Sequence, residues 1–402
     1  MRSAEFSVFL VAGEESGDRL GGALMGALRQ RCGTDVKFSG VGGAQMAAQG
    51  LRSLFPLGDI EGFGFAALPM QLPKMLRLIR AAADAAIAAQ PDVMVIIDSP
   101  EFTHRVARRV RAQAPSIPIV DYVCPSVWAW RPGRARVMRG YIDHVLALLP
   151  FEPPALWRLG GPPSTFVGHP LSERIGELRP DAEEAQRRAS DPPVLLVLPG
   201  SRAGEIGRMT EVFGQAAALV ADSIGALEVI IPAVPRLADM VRERIESWKV
   251  PARVVTDTEG KNKAFRVARA ALTKSGTSTL ELALAGVPMV AAYKVSLLEE
   301  LAARMLIKVP SIILANLVLD ENIVPELLQR DCTAAALATM LLPLMSDTPE
   351  RRRQIEAFAK LDAIMAIGTA VPSDRAAIAV LECAGRRVGG LRETVARPPL
   401  TA

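Results

Sequence analysis

The sequence predicts an α/β protein built from two doubly wound, Rossmann-like domains, and three observations predict it. Short continuous Val/Ile/Leu runs alternate with segments of helical period along most of the chain, the pattern of a parallel sheet covered by helices on both faces. The alternation comes in two sets, separated at 172–193 by a stretch rich in Glu, Arg, Asp and Pro that reads as a linker with a solvated helix. Finally, 402 residues at 50% hydrophobic and 22% charged supply enough apolar chain for two or three separate cores and exclude a disordered protein.

The elements follow in order. Phe6–Ala12 is the first strand, closed by the turn Gly13, Glu14, Glu15, Ser16, Gly17, Asp18 and a helix over 19–30. Val36–Val41 is the second, with a glycine turn at Gly42 and Gly43. A helix over about 73–89 leads into Val93–Ile97, then Asp98, Ser99, Pro100 and a helix from Phe102. Apolar runs at 117–123 and 144–149 complete the first set. The second set comprises Val194–Leu198, 227–231, Ala252–Val255, 270–273 and 288–292. In doubly wound sheets ligands bind at the C-terminal strand ends, so the turns after these strands are where function is sought. From about Arg387 the chain loses periodicity and reads as a loose tail, and no repeat of solenoid period occurs.

Composition removes several classes. A net charge of +4 from 47 basic and 43 acidic residues is too balanced for a dedicated nucleic-acid binder. Arginine clusters at Arg105, Arg108, Arg109 and Arg111, and at Arg131, Arg134, Arg136 and Arg139, read as solvated helix faces or as groups that meet anionic lipid. The four cysteines are scattered without a CxxC pair, which fits a reduced, cytoplasmic setting. No run reaches the roughly 18 to 20 apolar residues of a membrane span, and the apolar stretch after Arg2 is too short for a signal peptide. Residues 62–83 mix Phe63, Phe65, Met70 and Met75 with Lys74, Arg77 and Arg80, as an interfacial, membrane-touching element does; a buried helix with a basic edge has the same composition. The GxGxxG, GxxxxGK[ST] and GxSxG patterns are missing. The three histidines lack zinc spacing, and no Asp-x-Asp occurs, so neither metal nor cofactor is expected.

Two turns of the second set suit a diphosphate. The strand ending at Lys274 passes through Ser275, Gly276, Thr277, Ser278 and Thr279 into a helix, which points free backbone N–H groups at one spot. Glu281 in its first turn suits a neutral sugar hydroxyl. Val194–Leu198 likewise ends in Pro199, Gly200, Ser201 and Arg202, whose guanidinium can grip a phosphate. Each turn taken alone is also an ordinary hydroxyl-rich helix cap. Asp98, at the end of an apolar strand in the first set, is the candidate proton acceptor, with helix capping as its alternative role. Glu14 and Glu15, in the turn after the first strand, are candidates to orient an acceptor or to serve as a second base.

Eight motifs occur in order: Ala-Gly-Glu-Glu-Ser-Gly-Asp at 12–18, Gly-Val-Gly-Gly at 40–43, Ile-Asp-Ser-Pro-Glu-Phe at 97–102, Pro-Ser-Val-Trp-Ala-Trp-Arg at 125–131, Leu-Pro-Phe-Glu at 149–152, Val-Gly-His-Pro at 167–170, Leu-Pro-Gly-Ser-Arg at 198–202 and Ser-Gly-Thr-Ser-Thr-Leu-Glu at 275–281. Together the chain resembles the lipid-A-disaccharide synthases from about residue 6 to 385. The resemblance implies a GT-B fold whose two domains face across a cleft: 1–171 for the acceptor and membrane, a linker at 172–193, 194–365 for the UDP-sugar, a helix at 366–386 packing back on the first domain, and a tail at 387–402. It implies a metal-independent, inverting glycosyltransferase acting peripherally at the cytoplasmic face of the inner membrane. The implied reaction joins UDP-2,3-diacylglucosamine to 2,3-diacylglucosamine 1-phosphate, giving a β-1,6 disaccharide phosphate and UDP. A homodimer is among the implied assemblies.

By the resemblance Asp98 is the base, Arg202, Ser275, Gly276, Thr277 and Glu281 hold UDP, Asn316 and Gln329 are polar groups on the donor side, and 62–83 meets lipid. His169 lies at the domain junction in a hinge role. The chain departs from the family pattern at Ala44, Glu101, Thr103, Cys124 and Ala315. A UDP-N-acetylglucosamine 2-epimerase-like enzyme and a non-catalytic UDP-sugar or lipid-binding homologue remain as rival readings.

Overall fold

The computed structural model describes residues 6–33, 36–60, 68–295, 309 and 311–386, with the backbone alone at 68–71. Each half of the chain forms one six-stranded, wholly parallel sheet. In the first, β1 (Phe6–Ala12), β2 (Val36–Val41), β3 (Val93–Ile97), β4 (Ile119–Tyr122), β5 (His144–Ala147) and β6 (Ser164–Phe166) lie in the order β2-β1-β3-β4-β5-β6. In the second, β7 (Val194–Leu198), β8 (Glu228–Pro232), β9 (Ala252–Val255), β10 (Ala270–Lys274), β11 (Met289–Tyr293) and β12 (Glu326–Leu328) lie in the order β12-β11-β10-β7-β8-β9.

Both orders reverse direction once. The chain winds outward from β1 to β2, then returns to the other side of β1 and continues from β3 to β6; the second sheet does the same about β7 and β10. At such a reversal the crossover helices diverge and leave a crevice beyond the strand ends. The central strands are apolar throughout because helices cover both their faces, and every side chain of β3 and β7 is buried. Each such Val, Leu or Ile contributes about 1.5–3 kcal/mol of hydrophobic burial.

The edges hold the differences from expectation. β6 and β12 have three residues each, with none of the side chains buried, so they carry no continuous apolar run to announce them. The first helix begins at Glu15 rather than at 19, and the third-strand helix begins at Pro100. The 172–193 stretch contains a helix with no buried residue. Its helix Ala182–Ala189, opened by a reciprocal Asp181–Glu184 capping box, is strapped to the second domain. The Arg188 guanidinium donates to the carbonyls of Phe265, Arg266, Ala285 and Gly286, and burial pushes its pKa down to about 10.

The last helix, Pro372–Cys383, packs against the helix Glu15–Cys32. Ala376, Ala377, Val380 and Leu381 belong to the same core as β1 and β3, and Arg31 forms an ion pair with Asp374. The chain thus leaves the first domain near Gly168 and re-enters it near Pro372. At this crossing a Cβ on Gly168 would stand 2.7 Å from the Ile367 side chain and 3.1 Å from Pro372, at a φ of +96° that disfavours any other residue.

Candidate active site

In the second domain the turns after β7 and β10, the two strands at the reversal, line one pocket. β10 ends at Lys274, Ser275 is buried, and Gly276 and Thr277 lead into the helix Ser278–Leu284. Thr279 donates its hydroxyl to the Gly276 carbonyl at 2.7 Å, fixing the turn. Opposite, the buried Glu205 carboxylate accepts the backbone N–H groups of Ser201 at 3.1 Å and Arg202 at 3.3 Å. Lys274 Nζ lies 3.0 Å from the same carboxylate. The Arg202 side chain is 78% exposed and 3.8 Å from Glu205, so it is available to a ligand. Ser201, Gly276, Thr277 and Ser278 all border the cavity.

Glu281 is held by Lys261, whose ammonium donates to both carboxylate oxygens at 3.1 and 3.2 Å. The carboxylate retains lone pairs for a hydroxyl donor. Lys261, Asp257 and Thr258, which follow β9, complete the wall. Sequence reasoning missed them and gave Lys274 no role. The signal present was a third strand-turn-helix step, in which Asp257 accepts from Gly260 N–H at 2.6 Å to cap the helix Thr258–Val267.

Two expected donor-side residues are placed differently. Asn316 is buried, and its amide is fully spent: Nδ2 donates to Ser311 Oγ and the Val324 carbonyl, while Oδ1 accepts from the N–H groups of Ile323 and Val324. An amide has two donors and two acceptor sites, so Asn316 fastens its loop and has no group left for a sugar. Gln329 is tied to the Val295 backbone, accepting from its N–H at 2.7 Å and donating to its carbonyl at 3.4 Å.

In the first domain the reversal lies between β1 and β3, paired as far as Ala12 and Ile97, so the turns bearing Glu14, Glu15 and Asp98 emerge side by side. Asp98 and Ser99 have φ of +58° and +46°, a left-handed pair that costs on the order of 1–3 kcal/mol per residue and must be held in place. Thr103 holds it, donating its hydroxyl to the Asp98 carbonyl at 2.7 Å and the Ser99 carbonyl at 3.1 Å. The half-buried Asp98 carboxylate accepts the Ser16 hydroxyl at 2.7 Å and the Ser99 N–H at 2.7 Å. The strained turn therefore presents an oriented acceptor at the sheet edge. Glu14 and Glu15 are exposed at the start of the helix Glu15–Cys32.

Several motif residues are structural clamps. Asp18 is buried and accepts the backbone N–H groups of Gly43, Gln45 and Met46 at 2.7, 2.8 and 3.0 Å, joining the first two motifs. Glu152 receives Trp128 Nε1 at 3.3 Å and the N–H groups of Leu148 and Leu149 at 3.0 and 2.9 Å. Burial pushes its carboxyl up to about 7 against those hydrogen bonds. His169 Nδ1 accepts the Leu171 N–H at 3.1 Å at the domain crossing, and burial lowers its pKa to about 4.

Of the expected membrane-contact residues, Phe63 and Phe65 lie outside the described residues, as does the side chain of Met70. Lys74, paired with Asp59 at 2.7 Å, and Arg77 are exposed on the helix Leu68–Ala89, beside Leu72 and Leu76 at 39% and 41% exposure. Met75 is a correction: it is 2% exposed and packs in the first core. The helical period places Met75, Ile79, Ala82 and Ala86 on the inward face and Leu72 and Leu76 on the outward one. No helix among the described residues is long and apolar enough to cross a membrane.

The family model for lipid-A-disaccharide synthetase matches residues 8–379. Lipid-A-disaccharide synthases from Nitrobacter winogradskyi and Nitrobacter hamburgensis are 60% and 59% identical over 375 residues, which are 93% of this chain and 95% of each relative. The one from Bradyrhizobium diazoefficiens is 57% identical over 380 residues, covering 94% of this chain and 97% of its own. Among solved structures, the UDP-GlcNAc 2-epimerase from Neisseria meningitidis bound to UDP-GlcNAc superposes with a TM-score of 0.62 at 13% identity, covering 94% of this chain and all of its own. Acinetobacter baumannii MurG gives 0.57 at 15% identity, covering 94% and 99%. Such distant likeness speaks for the two-domain fold alone.

Proposed function

The chain belongs to the lipid-A-disaccharide synthetase family, and from that premise we propose that it transfers a diacylglucosamine unit from its UDP derivative to the 6-hydroxyl of a diacylglucosamine 1-phosphate. One observation carries the assignment of groups: Asp98 and the Lys274–Ser278 turn each stand at the reversal of their own sheet. A transferase of two such domains takes its acceptor on one edge and its nucleotide on the other.

In this mechanism the donor diphosphate lies in the turn after β10, against the backbone N–H groups of Gly276 to Ser278, with Lys274 and Arg202 supplying positive charge. Glu281 accepts a ribose hydroxyl. Asp98 takes the proton of the acceptor hydroxyl as its oxygen forms a bond to the donor's anomeric carbon. The bond from that carbon to the diphosphate breaks, and its electron pair leaves with UDP. Base and leaving group lie on opposite faces of the sugar, so the configuration inverts. Glu14 and Glu15, exposed beside Asp98, orient the acceptor. The outward face of Leu68–Ala89, with Leu72 and Leu76 beside Lys74 and Arg77, rests on the anionic cytoplasmic face of the inner membrane.

The test is Asp98→Asn, which keeps the size, lets Oδ1 still accept the Ser99 N–H and turns the Ser16 contact round so that the amide donates to the hydroxyl, but removes the base. Turnover is expected to fall by about 10²–10⁴, with UDP affinity unchanged by titration calorimetry. Near-normal turnover would remove Asp98 from the role. The same assay without acceptor separates the epimerase reading, which requires UDP-N-acetylglucosamine to be consumed alone.

A further inference from the structure

The arginines between residues 105 and 139 are not simply a solvated face. On the helix Pro100–Gln113, Arg109 is discharged by Asp84 at 3.1 Å and Arg111 by Asp143. Arg105 and Arg108 instead converge with Arg131 and Arg134 on a separate concavity that also contains Glu101 and His104. Leaving His104 aside, four guanidinium groups meet one carboxylate, a local excess of three positive charges. Glu101 is shared between Arg105 at 3.6 Å and Arg134 at 3.2 Å.

Arg108 and Arg131 have no carboxylate within ion-pair distance among the described residues, and both are pre-positioned by aromatic rings. Arg108 lies 4.7 Å over the Tyr141 ring and donates to its hydroxyl at 3.3 Å; Arg131 lies 4.6 Å over Trp130. Stacking fixes the planar group and leaves its N–H edge to a ligand. Arg134 is 17% exposed and donates to the Pro100 carbonyl at 3.4 Å, which ties the pocket to the start of the helix that follows Asp98.

We propose that this concavity is a phosphomonoester site. Paired guanidinium edges match a dianionic phosphate in charge and in bidentate geometry. Resting on the transferase reading above, the site holds the phosphate of the acceptor sugar and so orients that sugar's far hydroxyl toward Asp98.

The test compares the full-length protein with its Arg108→Gln/Arg131→Gln double variant by binding, in neutral detergent for the sugar and phosphate probes and without detergent for the vesicles. The probes are 2,3-diacylglucosamine 1-phosphate, the same sugar without phosphate, inorganic phosphate, and vesicles of phosphatidylcholine with or without phosphatidic acid. The wild type is expected to prefer the phosphorylated sugar by about tenfold or more. The variant should lose that preference while its UDP affinity, which reports the second domain's fold, stays the same. Equal preference in both proteins overturns the proposal. Loss of inorganic phosphate binding alone assigns the pocket to free phosphate, and loss of phosphatidic acid binding alone assigns it to a lipid headgroup; either outcome overturns the acceptor role. Because the readout is binding, a wild type that turns over neither donor nor acceptor would sink the transferase reading and leave this result standing.

Discussion

Lys274 shows how a residue that lines the proposed site can escape notice in a sequence. Its ammonium sits between the buried Glu205 carboxylate at 3.0 Å and the Tyr293 ring at 4.9 Å, partners 69 residues before it and 19 after. Lys274→Met keeps the stem and removes the charge. It is expected to weaken UDP binding by about 1.5–3 kcal/mol, the worth of a charge-assisted hydrogen bond, and to lower the unfolding temperature because the buried Glu205 loses the nearer of its two cations. Calorimetric titration and a thermal melt separate the two effects; unchanged UDP affinity would contradict the placement. The place of Asp98 at the sheet edge was legible because it closes an unbroken apolar run, Val93–Ile97. Asn316 was not: its saturation depends on Ser311, Ile323 and Val324 folding round it, which no spacing reveals.

At the scale of elements, β1 and β3 are coupled through a contact finer than side-chain packing. A Cβ on Gly13 would stand 2.2 Å from Ser99 Cβ, so the turn after β1 presses directly on the strained turn that carries Asp98. Gly13→Ala must part the two turns. An overpacking cost of about 1–3 kcal/mol is expected in chemical denaturation, together with a loss of turnover that leaves UDP binding intact; unimpaired turnover would mean that Asp98 tolerates the shift. The strands at the two reversals, β1, β3, β7 and β10, were readable to within a residue because burial on both faces demands unbroken apolar runs, whereas the runs read for β4 and β5 overshoot them by two residues at one end. β6 and β12, half-exposed at the margins, satisfy no such demand. The helix Leu68–Ala89 was legible in its period but not in its phase, which is why Met75 was assigned outward when it faces the core.

For the molecule as a whole, the two sets of strands announced two domains, and the composition change near 172 announced the passage between them. The return of the last helix to the first domain is not written in its own residues, since an amphipathic helix states that it needs a core without saying which. Leu381 is 3% exposed in that core. Leu381→Ala is expected to cost about 2–5 kcal/mol, and hydrogen exchange should accelerate in β1 and β3 while β7 and β10 keep their protection. Equal acceleration in both sheets would show that the domains unfold as one.

The position of that helix also sets a timetable for synthesis. The ribosome delivers all six strands of the first sheet early, but the apolar face under Ala376, Val380 and Leu381 stays bare until the helix Pro372–Cys383 has emerged, after the whole of the second sheet. The core of the second domain draws its last buried residue from Met365 and can close before that helix is made. The half made first therefore matures last, and a nascent chain stalled before residue 372 exposes the sticky surface on which chaperones and proteases act.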